Sequence, residues 1–556
     1  MRLRQDASAE KLAGRYYTPY DLAEFIVQWG TSNIDINNIL EPSCGDGVFL
    51  EALRHIDMNF NCSAIEIFEE EALIAQNRLI LDERFNIVVS DFYESYIELV
   101  ARNEKFQFIM GNPPYIRYQY LTPEQRDIQS NILNMSGMNA NKLINAWVAF
   151  VVAAVSVMDN DSKIGFVIPA ELLQVKYSEQ LRMYLMRELN EITIITFEEL
   201  VFQDVEQEVV VLLGRKRTGH QGSHVMKILE FTDVEDLVNN FTTVNRVNRF
   251  QPIDMNTVKW TKYFLTTEEN RVVQEVINNR NTIRFADIAE VDVGITTGNN
   301  KFFCVDHKTA VSYDLLNISK PLIARSVNIP GVTFDNDDWQ YNIESGSRTY
   351  LLDFNQVQEE QLTEGQRDYI RQGEVNGENL GYKCRIRQRW YAIPSIWEPD
   401  AFFLRRNYHY PKFVLNQNHA VSTDTMHRVA FNMGVSPKKA VLSYYNSIAF
   451  AFTELEARSY GGGVLEILPR ELENVRIPNI FDLVIEDEIV DMLFNFLNQT
   501  IREERNIEEA LNLIDEVLLI ERMGYTRETV NSLRGVWHRL KNRRLSRGVT
   551  TIINEI

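Results

Sequence analysis

Between Asn38 and about Arg217 the chain repeats one rhythm, a short β-prone run, a turn, then a helical stretch. The strand candidates are Ile39–Glu41, Ser63–Ile67, Ile87–Ser90, Phe106–Met110, Lys163–Ile168, Ile192–Phe197 and Val209–Gly214. Helical patterns such as Glu69–Leu81 and Ile144–Met158 lie between them. Alternation of this kind predicts an α/β domain with a mostly parallel sheet and helices on both faces. Ligands of such doubly wound domains sit at the carboxyl ends of the strands.

After Gly219–Ser223 the rhythm changes. Residues 240–480 hold short β-like runs and tight glycine clusters such as Gly294–Gly298 and Gly461–Gly463, which predict a second, mixed α+β domain. From about Asp482 the chain reads as helical: Ile507, Leu511, Ile514 and Leu518 share one helix face, as do Val530, Leu533, Trp537 and Leu540 on the next, with Gly524 as a stop between them. The expected divisions are 1–225, 226–480 and 481–556. Four scattered cysteines exclude a disulfide framework and, with the histidine spacing, give a metal site no support. The apolar run Ala146–Met158 is 13 residues long, short of the ~18 needed to span a bilayer. A cytoplasmic protein without a membrane association is the expectation.

Four segments carry chemistry. Ile39–Gly47 is a strand running into a turn whose Gly45 and Gly47 permit close backbone approach to a ligand. It lacks the GxGxxG pattern, so phosphate contacts are not its purpose. Glu66, ending the next strand 25 residues after Glu41, is placed to accept both hydroxyls of a ribose. Asp91 after the third strand could accept from an adenine amino group while Phe92 covers the ring. Together the three acids describe a site for an adenosine. The fourth segment, Phe106–Tyr115, ends in Asn112-Pro113-Pro114-Tyr115. Prolines lack N–H donors and stiffen the backbone, so the Asn112 amide oxygen and Pro113 carbonyl can accept both hydrogens of a planar exocyclic amine. That localises the nitrogen lone pair and makes the amine a nucleophile without prior deprotonation. Tyr115 can stack on the base, contributing about 1–3 kcal/mol toward the cost of flipping it from a duplex.

These motifs, in this order, resemble the S-adenosylmethionine-dependent amino-methyltransferases, and among them the gamma-class N6-adenine DNA methyltransferases of type II restriction–modification systems. Gly14-Arg15-Tyr16-Tyr17-Thr18-Pro19 matches that class's amino-terminal cofactor motif, Gly165–Pro169 its fifth-strand motif, and Phe202 in Val201–Val205 the aromatic packed against the extruded adenine. The resemblance implies a Rossmann-like class I methyltransferase domain with a seven-stranded mixed sheet, a DNA target-recognition domain and a helical C-terminal segment. It implies S-adenosyl-L-methionine contacts at Tyr17, Thr18, Pro19, Glu41, Pro42, Ser43, Cys44, Gly45, Glu66, Ile67, Asp91, Phe92, Asn112 and Pro114. It further implies catalysis by Asn112, Pro113, Pro114 and Tyr115, with Tyr115 and Phe202 stacking on the target base. Neither a metal nor a covalent enzyme intermediate is required. The Asn112–Tyr115 motif also occurs in protein N5-glutamine methyltransferases, but those are shorter and lack a large second domain. A modification subunit of a multi-subunit restriction or phage-defence system is the other enzyme alternative; a DNA-binding protein with a dead methyltransferase fold is the non-enzyme one.

The formal net charge of −21 opposes nonspecific binding to a polyanion. It is unevenly spread, however. Residues 1–220 hold 19 basic and 32 acidic side chains, whereas 381–450 hold 10 basic and 3 acidic. Lys383, Arg385, Arg387, Arg389, Arg405 and Arg406, interleaved with aromatics, are the expected contacts to double-stranded DNA. The basic run Arg534–Arg547 reads equally as a solvated face. The expected partners are DNA and a separate cognate restriction endonuclease, with the chain itself a monomer.

Overall fold

The computed structural model describes residues 17–80, 82–140, 144–202, 208–217, 224–246, 250–254 and 259–546. The described residues divide into two compact units, the first ending at Thr267 and the second beginning at Glu268.

The first unit opens with helix α1 (Tyr20–Thr31), then strand β1 (Asn38–Glu41), α2 (Val48–Arg54), β2 (Asn61–Glu66), α3 (Glu69–Leu79), β3 (Phe85–Val89), α4 (Phe92–Ala101) and β4 (Phe106–Gly111). It continues through α5 (Pro123–Met135), α6 (Ala146–Ser156), β5 (Met158–Pro169), α7 (Glu179–Glu188), β6 (Glu191–Phe197), β7 (Val209–Arg215), β8 (Val225–Phe231) and β9 (Gln251–Pro252). All seven expected strands form. They lie in one sheet of order β3-β2-β1-β4-β5-β7-β6-β8-β9. β3, β2, β1, β4 and β5 run parallel, while β7 inserts antiparallel between β5 and β6.

Two expectations are corrected here. Among the described residues the sheet has nine strands rather than seven, because β8 pairs parallel with β6 along its whole length and carries β9 on its outer edge. A domain boundary at residue 225 would therefore cut β8 from its sheet; the first unit runs on to Thr267. Lys227 and Glu230 interrupt the apolar run of β8, and β9 is only two residues long, so neither shows the unbroken apolar stretch that marks a buried strand.

The sheet separates two apolar layers. α4, α5, α6 and α7 cover one face, and α1, α2 and α3 the other. α6 is buried over all but its last residue, as its uniformly apolar sequence requires. Lys163, buried in β5 with its pKa lowered by burial to about 7, donates its Nζ to the carbonyls of Trp29 and Ser32 and so ties the C-terminal end of α1 to the sheet. Chain order reverses direction between β1 and β4, and their carboxyl ends, Glu41 and Gly111, stand side by side.

In the second unit a five-stranded sheet runs Ala289–Val293, Met426–Phe431, Ala401–Leu404, Phe413–Asn416, Thr333–Phe334. A four-stranded sheet joins Cys304–Val305, Tyr350–Leu352, Ser319–Ile323 and Val421–Ser422. The helices Asp487–Arg502, Ile507–Ile514 and Arg527–Ser546 follow. The two expected faces are buried, from Ile507 to Leu518 and from Val530 to Leu540, and Gly524 breaks the chain between them at φ +74°. These helices are part of the second unit, which corrects the separate segment expected for 481–556.

The basic run Arg534–Arg547 is mixed: Arg539 is exposed while Arg544 turns inward, and Arg547 lies outside the described residues. Arg544 is 1% exposed and forks onto Glu454, itself buried, at 2.8–3.1 Å. Its remaining nitrogen donates to the carbonyls of Tyr408 and Gly463. A buried pair contributes little net, but removing one member strands a charge at a cost of about 3–5 kcal/mol. Arg544→Met is expected to lower the unfolding free energy by about that amount, measured by chemical denaturation, while Arg544→Met with Glu454→Leu recovers most of it. A single variant as stable as the parent would show that the ion pair does not anchor this helix.

Candidate active site

The strand-end turns of the first unit enclose a cavity of about 240 Å³. Its floor is the β1–α2 turn. The Cys44 N–H donates to the Ile65 carbonyl at 2.9 Å and the Gly47 N–H to the Cys44 carbonyl at 2.8 Å, which lash the turn to β2 and close it. Gly47 has φ +86°, and a Cβ there would stand 2.7 Å from that of Ala75 in α3. Only glycine permits both the left-handed backbone and the contact of α2 with α3.

Glu41 ends β1 with its side chain 0% exposed. Among the described residues neither carboxylate oxygen has a hydrogen-bond partner. Burial pushes this carboxyl well above its usual range, and the nearby acids Asp46 and Glu66 add to the effect. A buried carboxylate without a donor is costly, so the group is held toward its neutral acid unless a cation meets it. Glu66, at the end of β2, accepts the N–H groups of Gly45 (2.8 Å) and Phe68 (3.0 Å) on its two oxygens. Burial raises its carboxyl while those N–H groups oppose the rise. Asp91 caps α4, its Oδ1 accepting the Tyr93 N–H at 2.8 Å and its Oδ2 the Gln125 amide at 2.7 Å.

At the end of β4, Gly111 sits at φ +147°, a backbone open to glycine. The chain then turns through Asn112, whose side-chain Nδ2 donates to Thr18 Oγ1 at 3.2 Å and whose carbonyl accepts from Ser43 Oγ at 3.3 Å. The amino-terminal segment, the β1 turn and the β4 turn thus meet at one residue. Tyr115 is half-buried and its hydroxyl donates to the Val167 carbonyl in β5 at 3.1 Å.

The cavity wall includes Tyr17, Thr18, Glu41, Pro42, Ser43, Cys44, Gly45, Glu66, Ile67, Asp91, Phe92, Asn112 and Pro114. Of the expected cofactor contacts only Pro19 stands off the wall, where it caps α1. Pro113 and Tyr115 are beyond the wall, one buried and one half-buried. Phe202 is 7% exposed, is not a wall residue of the cavity, and lies in the apolar cluster on the α1 face of the sheet against which Tyr115 also packs. Gly14, Arg15, Tyr16, Gln203, Asp204 and Val205 lie outside the described residues. Phe68, Glu71, Leu121, Gln125 and Phe150 are wall residues that sequence reading missed. Thr122-Pro123-Glu124-Gln125 does carry a helix-start signal, but nothing in it says that the helix faces Asp91. Phe150 is hidden in an unbroken apolar run. Among the described residues no group of three or more His, Cys, Asp or Glu could hold a metal ion, and no helix is long and apolar enough to cross a membrane.

The donor set fits S-adenosyl-L-methionine. The ammonium of its amino-acid end suits the Glu41 carboxylate, the spare lone pairs of Glu66 suit its ribose hydroxyls, and those of Asp91 suit its adenine amine.

In the second unit the expected DNA contacts part company. Lys383 and Arg385 are exposed on a single helical turn, Tyr382–Arg385, seated on fully buried Cys384. Arg387 donates to the Thr296 carbonyl at 3.2 Å, and Arg389 to the carbonyls of Val357 (2.7 Å) and Phe354 (3.3 Å). Arg405 and Arg406 both approach Glu466, at 2.8 and 3.4 Å. Elsewhere in the basic window, Arg428 is buried against Asp292, and Phe402 and Phe403 are core.

Residues 48–202 match the family described as Eco57I restriction-modification methylase, and residues 257–519 the family described as type II methyltransferase M.Eco57I, C-terminal domain. The type II methyltransferase M.AccI of Acinetobacter calcoaceticus is 22% identical over 91% of this chain and 93% of its own. M.XamI of Xanthomonas campestris pv. amaranthicola is 20% identical over 85% and 86%. Among solved structures, the type IIL restriction-modification enzyme MmeI in complex with DNA superposes over 91% of this chain and 73% of its own, with a TM-score of 0.57 at 11% identity, a likeness of fold. Over about nine-tenths of its length, then, the chain is similar to a type II methyltransferase, and residues 48–202 and 257–519 each match an Eco57I-related methylase family.

Proposed function

We propose that the chain is a site-specific DNA methyltransferase that modifies N6 of an adenine turned out of double-stranded DNA, as the modification enzyme of a type II restriction–modification system. The observation that carries this reading is that Glu41, buried and without a hydrogen-bond partner among the described residues, shares one cavity wall with Asn112 and Pro114. A cation-seeking carboxylate and an amine-gripping turn at adjacent strand ends are what transfer to an amine requires.

S-adenosylmethionine, when bound, supplies an electrophilic methyl group. The chain's residues do the rest by position. Glu41 pairs with the ammonium of the cofactor's amino-acid end, and Glu66 and Asp91 fix the ribose and the base. Asn112, tethered through Thr18 and Ser43, presents its amide oxygen beside the Pro113 carbonyl. The two together accept the hydrogens of the target amine and leave its lone pair free. Tyr115, pinned to Val167, offers a ring face to the flipped base. The amine reacts as the neutral base and loses its proton to solvent afterwards. Base-edge and phosphate contacts belong to the second unit, with Lys383, Arg385 and Arg406 the exposed ones among the expected cations. A separate endonuclease cutting the same sequence would be the cognate partner.

Asn112→Ala is expected to lower transfer to duplex DNA by about 10²-fold or more, while DNA and cofactor still bind; methylation-sensitive sequencing of DNA from cells making either protein reads both the loss and the modified base. Turnover at the parent's rate, or a modified cytosine, would sink the assignment.

A cation must meet the Glu41 carboxylate, not its acid. Because the free site holds this carboxyl above its usual range, binding draws a proton off it, and affinity rises with pH up to that raised value. Calorimetry between about pH 5.5 and 7.5 should show cofactor affinity increasing with pH and proton release on binding. Glu41→Gln should bind more weakly and with a flatter profile. An unchanged profile in that variant would place the cation elsewhere.

Neutralising Lys383 and Arg385 together should reduce the salt dependence of DNA binding by about two units of log–log slope. Arg389→Ala, by contrast, should lower stability by about 1–3 kcal/mol through its two orphaned carbonyls. Unaltered slopes would move the DNA surface away from this turn.

A further inference from the structure

We propose that Gln125 is a positioning residue for the cofactor's nucleobase, holding the Asp91 carboxylate in the orientation that receives the adenine amine. The proposal rests on the reading of Asp91 as the adenine contact. Gln125 stands at the third position of α5, and its Oε1 accepts the Thr122 main-chain N–H at 3.0 Å while its own N–H donates to Thr122 Oγ1 at 3.2 Å. That reciprocal cap fixes which way the side-chain amide faces. Its oxygen is committed to Thr122, so its nitrogen must point outward, and it meets Asp91 Oδ2 at 2.7 Å.

The Asp91 carboxylate is then held from two sides, by the Tyr93 N–H on Oδ1 and by Gln125 on Oδ2. It cannot rotate without losing one of these bonds, yet each oxygen keeps a lone pair for a further donor. One turn along α5 the fastening is repeated. Gln129, 1% exposed, accepts from the Tyr93 hydroxyl at 3.2 Å and donates to the Ile144 carbonyl at 3.2 Å. Two glutamines at i and i+4 therefore tie α5 to the start of α4, and α5 brings Gln125 to the cavity wall. Glutamate would make the same cap. It would, however, turn an acceptor toward Asp91, and that difference is what makes the residue informative.

The test uses the whole chain and its Gln125→Glu, Gln125→Met and Asp91→Asn variants, with S-adenosylhomocysteine and S-inosylhomocysteine as calorimetric probes; the second ligand carries a carbonyl where the first has the 6-amino group. The parent should prefer the adenosyl ligand. Gln125→Glu, which keeps the helix cap, and Gln125→Met, which adds no charge, should each weaken adenosyl binding by about tenfold and leave inosyl binding within about twofold, erasing most of the preference. Equal weakening of both ligands, or none, would overturn the positioning role. If Asp91→Asn erases the preference and the Gln125 variants keep it, the positioning role alone falls. If Asp91→Asn keeps it, the adenine reading of Asp91 falls and takes this proposal with it.

Discussion

The interaction on which this structure turns is one that Glu41 does not make within the fold. A carboxylate at the end of the central strand, fully buried and without a donor among the described residues, is a standing cost to stability. The sheet topology is what creates the place: β1 and β4 are neighbours across the point where chain order reverses, so their ends open a crevice that no helix fills. Every other piece of the site is arranged about that crevice. The β1 turn is lashed to β2, Glu66 holds two turn N–H groups, and Asn112 is tied to both Thr18 and Ser43.

The second unit shows a different use of charge. A surplus of cations between residues 381 and 450 suggests a binding surface, but most of that charge is consumed internally. Arg389 holds two main-chain carbonyls, Arg428 lies buried against Asp292, and Lys412 donates to the Ile329 carbonyl. At the end of the chain Arg544 does the same with Glu454 and two carbonyls. Long cationic side chains can satisfy several acceptors at once, which is useful in a unit built from short strands and irregular connections. What remains for a polyanion is a small exposed set rather than a broad patch, consistent with the acidic chain as a whole.

Much of the catalytic unit was legible because its signals are local. Each strand of the first seven is a short apolar run with a turn after it, and each site acid falls at a strand end, so Glu41, Glu66, Asp91 and Asn112 could be named before any geometry was known. β8 and β9 were not legible, since their pairing partners are distant and their sequences are mixed. Gln125 was not legible either. Its local pattern announces a helix cap, while its contact with Asp91 depends on how α5 is laid across α4.

The sequence by itself determined the strand–turn–helix order, the acids at the strand ends and the amide–proline turn, because these depend on backbone preferences within a few residues. It also determined the helix faces from Ile507 to Leu540, because burial there follows a fixed period. Only the tertiary structure decided which of the wall residues meet, that Phe202 packs into the core, and that Arg387, Arg389 and Arg544 serve the fold. Those outcomes depend on which main-chain carbonyls and buried acids come within reach of a side chain, and that is set by contacts between residues far apart in the chain.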